Sequence, residues 1–265
     1  MAGQADSLKS ILFALFANSA IAVAKGVAAF VTGSGAMLAE AIHSVADACN
    51  QLLLILGLRQ TGKAPTEDHP LGFGKSISFW SFLVAVILFS LGGMFSLYEG
   101  VHKLLHPAPV THPWVAIGVL VFAIVAESIS LWGCMREVNK ERYGRSIFQW
   151  FRHSRSSALI VVFGEDIAAL LGLVFALIAI AATLVTGNPL WDAVGTISIG
   201  VLLLVVAVFV AVEVKDLLIG QSVEPTTLSE MEKFLQGRPE IGEVYSLLTM
   251  QFGPDAMVAV KALSL

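Results

Sequence analysis

The chain has 265 residues, of which 56% are hydrophobic and only 14% are charged, and its formal net charge is -4. Soluble proteins average about 25% charged residues, so this composition is typical of a membrane protein. The charge is small and no basic cluster alternates with aromatic residues, which gives no support for a nucleic-acid partner. Cys49 and Cys134 form no C-x-x-C pair and lie in or beside apolar runs, so both are predicted to be small core residues.

Six apolar segments predict a bundle of six transmembrane helices, since a bilayer core takes about 20 mainly apolar residues per helix. The segments cover residues 11–31, 36–58, 77–104, 113–135, 157–186 and 191–218. The first is too long for a signal peptide and shows no obvious A-x-A cleavage site, so it is predicted to be a retained span. The short loops TGSGA, HPAPVTHP and VTGNP join the spans in pairs and are predicted to share one side of the membrane.

The longer connections lie on the opposite side and carry most of the positive charge near the spans. They are RQTGKAPTEDHPLGFGK, between spans two and three, and REVNKERYGRSIFQWFRHSRS, between spans four and five. By the positive-inside rule these two loops and both termini are predicted to be cytoplasmic. We expect a multi-pass protein of the cell (inner) membrane.

Near residue 220 the composition changes from apolar to that of a soluble segment. This change divides the chain into a transmembrane domain, 1–220, and a cytoplasmic segment, 221–265. The segment begins with a predicted helix that has Thr227 and Glu230 at capping-box spacing. Two strands around a Gly253-Pro254-Asp255 turn follow. One helix and one hairpin are few elements for an independent domain, because an isolated hairpin is only marginally stable in water. Either another subunit completes the segment or the sequence is a shortened form.

Span two carries polar residues that a membrane helix ordinarily lacks. His43 and Asp47 are four residues apart and therefore project from one face, and Glu40 and Asn50 continue the stripe in steps of three. An ionisable side chain at mid-span costs roughly 2.5 to 3.5 kcal/mol on insertion scales. Each of these residues therefore requires a partner or a function.

Other spans contribute further polar residues. Span five contains the adjacent acids Glu165 and Asp166, which lie about 100° apart around a helix, so at most one points straight at a given neighbour. Span four contains Glu127, and span one contains Asn18 and Lys25. Lys25 alone cannot neutralise these acids, whereas a bound metal or bound protons can. His43, Asp47, Asp166 and either Glu165 or Glu127 would supply the four N and O ligands of a tetrahedral zinc site.

Several stretches together resemble the cation diffusion facilitator family. They are GSGAMLAEAIHSVADACNQ, the following DHPLGFGK, the ED pair of span five, NPLWDAVGTISIG at the start of span six, and the helix and hairpin at the C-terminus. The resemblance covers nearly the whole chain. The ED pair is shared most closely with the zinc transporter nine-like subgroup of that family.

The resemblance implies a proton-coupled exporter of Zn²⁺ or a related divalent cation that works by alternating access. It also implies a homodimer of six-span subunits with a ferredoxin-like α+β cytoplasmic domain, and no cofactor beyond the transported metal and protons. The family's intramembrane site maps to His43, Asp47 and Asp166. The usual fourth ligand, a His four residues before Asp166, is replaced by Val162.

The resemblance therefore makes Glu165 the first candidate for the fourth ligand and Glu127 the second. Exchanging imidazole for carboxylate hardens the site, which makes Mn²⁺ or Fe²⁺ an alternative substrate. Glu40, Asn50 and Asn18 are expected to line the pathway or to support the ligands.

A second metal site between spans two and three, found in some relatives, is represented only by Asp68 and His69. Phe73 stands at a second His position. Two other interpretations of the chain stay open: a non-transporting metal-binding regulatory subunit, and an intramembrane metalloenzyme, although no H-E-x-x-H motif is present.

Overall fold

The computed structural model describes the backbone of residues 2–239, 241, 243–253 and 256–264, and the side chains of 15–16, 18–86, 90–239, 241 and 244–252. Helices α1 to α9 are α1 (Ala2–Thr32), α2 (Gly35–Thr61), α3 (Ser76–Leu83), α4 (Ser90–Leu105), α5 (Pro113–Glu141), α6 (Ile147–His153), α7 (Ser157–Thr186), α8 (Leu190–Ile219) and α9 (Pro225–Gln236). Strands β1 (Glu243–Gly253) and β2 (Ala256–Ser264) follow.

Five of the six predicted spans are confirmed as long apolar helices within the described residues. Among the described residues, α2, α5, α7, α8 and the combined helix Ser76–Leu105 are each long and apolar enough to cross a membrane. The first predicted span lies within α1, of which Asn18–Thr32 forms a shorter apolar stretch. The third span departs from the expected continuous α-helix, because a π-helical segment, Val84–Phe89, separates α3 from α4.

Glycine and serine residues determine where several of the spans end or begin. Gly33, at φ 65°, ends α1, and Gly187, at φ 67°, ends α7, since glycine adopts the left-handed region without steric cost. Ser34 caps α2 by accepting a hydrogen bond from the backbone N–H of Met37, at 3.2 Å. The turn between α1 and α2 therefore needs only two residues.

The helices pack around an apolar core, with small residues where α4 crosses α8. A Cβ atom at Gly200 would lie 2.9 Å from the backbone oxygen of Gly93 and 2.8 Å from the backbone nitrogen of Leu97. Small residues at such crossings let membrane helices approach closely. We conclude that α4 and α8 form one of the tightest seams of the bundle.

The three short loops meet at one end of the bundle, as predicted, and we call this the outer end. Thr111, in the loop before α5, donates its backbone N–H to the carbonyl of Thr32 at 2.8 Å. Lys103, near the end of α4, donates to the carbonyl of Gly33 and reaches Asp192 of α8 at 3.0 Å. Four helix ends are thereby joined.

At the opposite, inner end, the basic loop between α5 and α7 is more ordered than predicted. It contains α6, which begins with a capping box made by Ser146 and Gln149. Arg145 pairs with Glu224 at 2.9 Å, and Arg155 donates to the carbonyl of Ser222 at 2.6 Å. These contacts tie the loop to the start of the C-terminal segment.

The C-terminal segment contains a helix and an antiparallel hairpin, as predicted, but the helix start was misplaced. It begins at Pro225, with Glu224 at the N-cap and no side-chain capping bond, because proline takes the first helical position readily. The strands pair from Glu243 opposite Ser264 to Gly253 opposite Ala256. Pro254 and Asp255 of the predicted turn lie outside the described residues. The ferredoxin-like arrangement and the domain boundary at residue 220 stay predictions.

Candidate metal centre

The polar stripe of α2 faces the interior of the bundle. Glu40, His43, Asp47 and Asn50 are all between 0 and 5% exposed. His43 Nδ1 lies 3.5 Å from Asp47 Oδ1, one helical turn further along. The prediction that these residues share one buried face is confirmed.

Asp192 holds the outer end of α2 in place. Its carboxylate accepts hydrogen bonds from the hydroxyl of Ser34 and from the backbone N–H groups of Gly35, at 2.7 Å, and Ala36, at 3.3 Å. Lys103 adds an ion pair at 3.0 Å, and Asp192 itself is 1% exposed. A carboxylate in this position satisfies the free N–H groups of a helix N-terminus and complements its dipole.

Glu165 and Asp166 of α7 are both buried, yet they face different neighbours. Glu165 accepts a hydrogen bond from the side-chain amide of Asn50 on α2. Asp166 accepts one from the hydroxyl of Ser130 on α5, at 3.0 Å. The expectation that adjacent acids diverge around the helix is met, and it is Glu165 that reaches the stripe on α2.

Helix α5 contributes a further carboxylate to the centre. Glu127 is buried at mid-helix and interacts electrostatically with Asp47, Glu165 and Asp166. The thiol of Cys134, two turns further along α5, interacts with Asp166. Cys134 is therefore more than the core residue that the sequence suggested, although it also packs against an apolar cluster. The same prediction for Cys49 was wrong, because Cys49 is exposed.

Lys25 of α1 is fully buried and contacts the stripe from the other side. Its ammonium lies 3.1 Å from Glu40 Oε2 and 2.7 Å from the hydroxyl of Ser44. Glu40 thus has an ion-pair partner. Asn18, about two turns before Lys25 on α1, is half-buried.

The candidate ligands are neighbours without forming a coordination sphere. Within the described part of the chain, no three His, Cys, Asp or Glu side chains are grouped closely enough to hold a metal ion. Side-chain rotations are therefore required before His43, Asp47, Asp166 and Glu165 or Glu127 can share one cation. This ligand set stays a prediction.

Two further positions bear on the predicted sites. Val162 is partly buried and packs on the cluster that contains Cys134 and Trp150. In the loop after α2, Asp68 and His69 are exposed, and the His69 ring stacks on Phe73 with centroids 4.5 Å apart. The proposed loop site stays a prediction too.

Sequence reasoning missed the roles of Asp192, Ser130 and Cys134. A signal existed for Ser130 and Cys134, since they follow Glu127 at intervals of three and seven residues and so lie on the same face of α5. Asp192 gave a weaker signal, because an acid in the first turn of a helix more often serves its own N-terminus. Its use by α2 depends on two helix ends meeting in space.

The bundle thus buries several carboxyl groups together with an imidazole and an ammonium group. The sequence also matches the model of a protein family. The profile of the cation efflux transmembrane domain matches residues 11–219. The chain belongs to the cation efflux family. This confirms the resemblance stated above to the cation diffusion facilitators.

Individual cation efflux relatives match over most of the chain. The mitochondrial proton-coupled zinc antiporter SLC30A9 is 34% identical in Xenopus laevis and 32% identical in Homo sapiens, over 92% of this chain and 44% of each relative. Metal tolerance protein C4 of Arabidopsis thaliana is 31% identical over 94% of this chain and 55% of its own length. The chain thus spans about half the length of these relatives.

Proposed function

We propose that this protein exports a divalent metal cation, Zn²⁺, across a membrane in exchange for protons. Membership of the cation efflux family supports metal transport. The vertebrate relatives are named proton-coupled zinc antiporters. The observation that carries the proposal is the buried stripe on α2, with His43 and Asp47 side by side and Asn50 bonded to Glu165 of α7.

The chemistry of the stripe suits proton exchange. Imidazole binds metal only when neutral and carboxylate only when ionised, so metal and protons compete for His43, Asp47, Asp166 and Glu165. In the proposed cycle, metal reaches these ligands from the inner end, and protons replace it when the outer end opens.

The ligand set bears on which metal is carried. Val162 supplies no ligand, so three carboxylates and one imidazole are harder than the family's common set and favour Mn²⁺ or Fe²⁺ more than that set does. The names of the relatives favour zinc. We propose zinc as substrate and keep Mn²⁺ and Fe²⁺ as the alternative that a selectivity scan must test.

The decisive experiment compares two aspartates in reconstituted liposomes. Asp47→Ala removes a proposed ligand and is expected to abolish zinc-driven proton movement, because it deletes the carboxylate that lies 3.5 Å from His43 Nδ1. Asp216→Ala is the control, since Asp216 is 46% exposed at the inner end of α8 and is expected to leave exchange unchanged. Undiminished exchange by Asp47→Ala would overturn the site assignment.

The same assay separates the alternatives. A regulatory subunit would bind zinc without moving it, whatever the pH gradient. An intramembrane metalloenzyme is disfavoured, because the antiporter relatives are named as transporters. A scan of Zn²⁺, Mn²⁺, Fe²⁺, Co²⁺ and Cd²⁺ then tests the choice of metal.

Assembly and location complete the proposal. We propose a homodimer, which light scattering of the detergent-solubilised protein would test. Both termini are proposed to be cytoplasmic, from the basic loops at the inner end. The cell membrane is our proposed location, whereas the vertebrate relatives are named mitochondrial, so membrane fractionation of the native cells is the relevant measurement.

A further inference from the structure

A cation transporter that buries a fixed positive charge beside its own cation site requires an explanation. Lys25 is 0% exposed, on a helix other than those that carry the candidate ligands. A buried ammonium in a membrane span needs a partner that offsets its charge. Glu40 meets that need, at 3.1 Å, and the hydroxyl of Ser44 accepts a second hydrogen bond, at 2.7 Å.

Glu40 depends equally on Lys25. One of its oxygens, Oε2, contacts the ammonium, and the other, Oε1, is buried without a hydrogen-bond partner among the described residues. A Cβ atom at Gly172 of α7 would collide with Oε1, so the carboxylate is pressed against the α7 backbone. Within the described side chains, Lys25 is the cation that pairs with Glu40.

The pair lies between the candidate ligands and the outer end. Glu40 precedes His43 by one turn on α2, which begins at the outer end. The charge of Lys25 also acts electrostatically on His43, Asp47 and Glu127, although none of these forms an ion pair with it. Within the described residues, Glu40 therefore has a lysine partner, whereas Asp47, Glu127, Glu165 and Asp166 form no ion pair with a lysine or arginine.

We propose that Lys25 is a built-in counter-cation that keeps Glu40 ionised and outside the exchange, and so limits the number of protons released when a metal binds. The inference rests on the proposed function, because a proton count has meaning only if metal and protons compete. Lys25 thus acts through Glu40, by keeping that carboxyl group charged. It is not itself one of the proposed metal ligands.

The physical consequence of removing Lys25 follows from charge balance. Without the ammonium, the Glu40 carboxyl is buried without a cation and takes up a proton, because an unpaired buried charge is unfavourable. A divalent cation arriving one turn away then favours loss of that proton. Glu40 joins the exchanging groups, and the number of protons released per metal rises by up to about one.

The test counts protons released per zinc bound, by calorimetry of the purified full-length chain in buffers of different ionisation enthalpy. Lys25→Met is expected to raise the count by up to about one. Lys25→Met combined with Glu40→Gln is expected to restore the wild-type count, since neither residue then carries charge. Lys215→Met is the matched control, because Lys215 is half-exposed and pairs with Asp216 outside the centre, and it should leave the count unchanged.

Each result either supports or overturns the proposed role of Lys25. Equal counts in all variants overturn it, as does a double variant that behaves like Lys25→Met. If Lys25→Met does not fold, folding of the double variant supports the pairing, and failure of both variants overturns it, because a neutral pair should be tolerated. If the wild-type protein releases no protons with zinc, the proposed function fails, whereas the folding comparison still decides whether Lys25 offsets Glu40.

Discussion

Asp192→Ala tests whether one carboxylate secures the outer end of the bundle. Asp192 accepts hydrogen bonds from four donors: the Ser34 hydroxyl, the N–H groups of Gly35 and Ala36, and the ammonium of Lys103. Interhelical hydrogen bonds in membrane proteins average about 0.6 kcal/mol, so four of them contribute about 2.4 kcal/mol. The bond to Lys103 is one of these four, and breaking a buried ion pair as a whole costs about 3 to 5 kcal/mol, which sets the upper limit. We therefore expect a loss of about 2 to 5 kcal/mol in the free energy of unfolding.

The assay is thermal unfolding in one detergent at one scan rate. For a domain of this size each kcal/mol lowers the melting temperature by roughly 2 to 4 °C, so the expected decrease is roughly 4 to 20 °C. Asp216→Ala is the control, because Asp216 pairs with Lys215 while 46% exposed, and such a pair contributes about 0 to 1 kcal/mol. Equal melting temperatures for the two variants would refute the stabilising role of Asp192.

The remaining predictions concern the centre itself. Gly172→Ala should destabilise the protein by about 1 to 3 kcal/mol, because the new methyl group displaces the carboxylate of Glu40, whereas Gly118→Ala, which meets no atom within 4 Å, should not lower the melting temperature. Val162→His should tighten zinc binding measured by calorimetry, since it places an imidazole four residues before Asp166; unchanged affinity would show that residue 162 cannot reach the cation. Zinc affinity should fall as the pH falls, because protons occupy imidazole and carboxylate ligands, and an affinity that is constant between about pH 5 and 8 would contradict these ligand types.

The spans and the buried stripe were predictable because their signals are local. About 20 consecutive apolar residues can lie in a bilayer core only as a helix, whatever the rest of the chain does. The spacing of Glu40, His43, Asp47 and Asn50 likewise places them on one face by helix geometry alone. The structure moved the ends of the spans and added the π-helical segment Val84–Phe89 without changing this organisation.

Which helices meet could not be derived from such local signals. Lys25 and Glu40 are 15 residues apart in the chain, and Ser34 and Asp192 are 158 apart. Their contacts depend on how each helix is rotated and on which neighbour it packs against. Adjacent Glu165 and Asp166 illustrate the point, since their divergence follows from 3.6 residues per turn, whereas their partners Asn50 and Ser130 follow only from packing.

The sequence by itself therefore determined that this is a helical membrane protein of the cation efflux family, with a line of buried polar side chains on α2. Only the tertiary structure decided that Glu40 belongs to Lys25, that Glu165 rather than Asp166 is bonded to the stripe on α2, and that Asp192 anchors that helix. The physical reason is that hydrophobicity and helical periodicity are properties of one segment. The pairing of charges inside a membrane is a property of several segments together, because each buried charge is stabilised by whichever opposite charge the packing brings within reach.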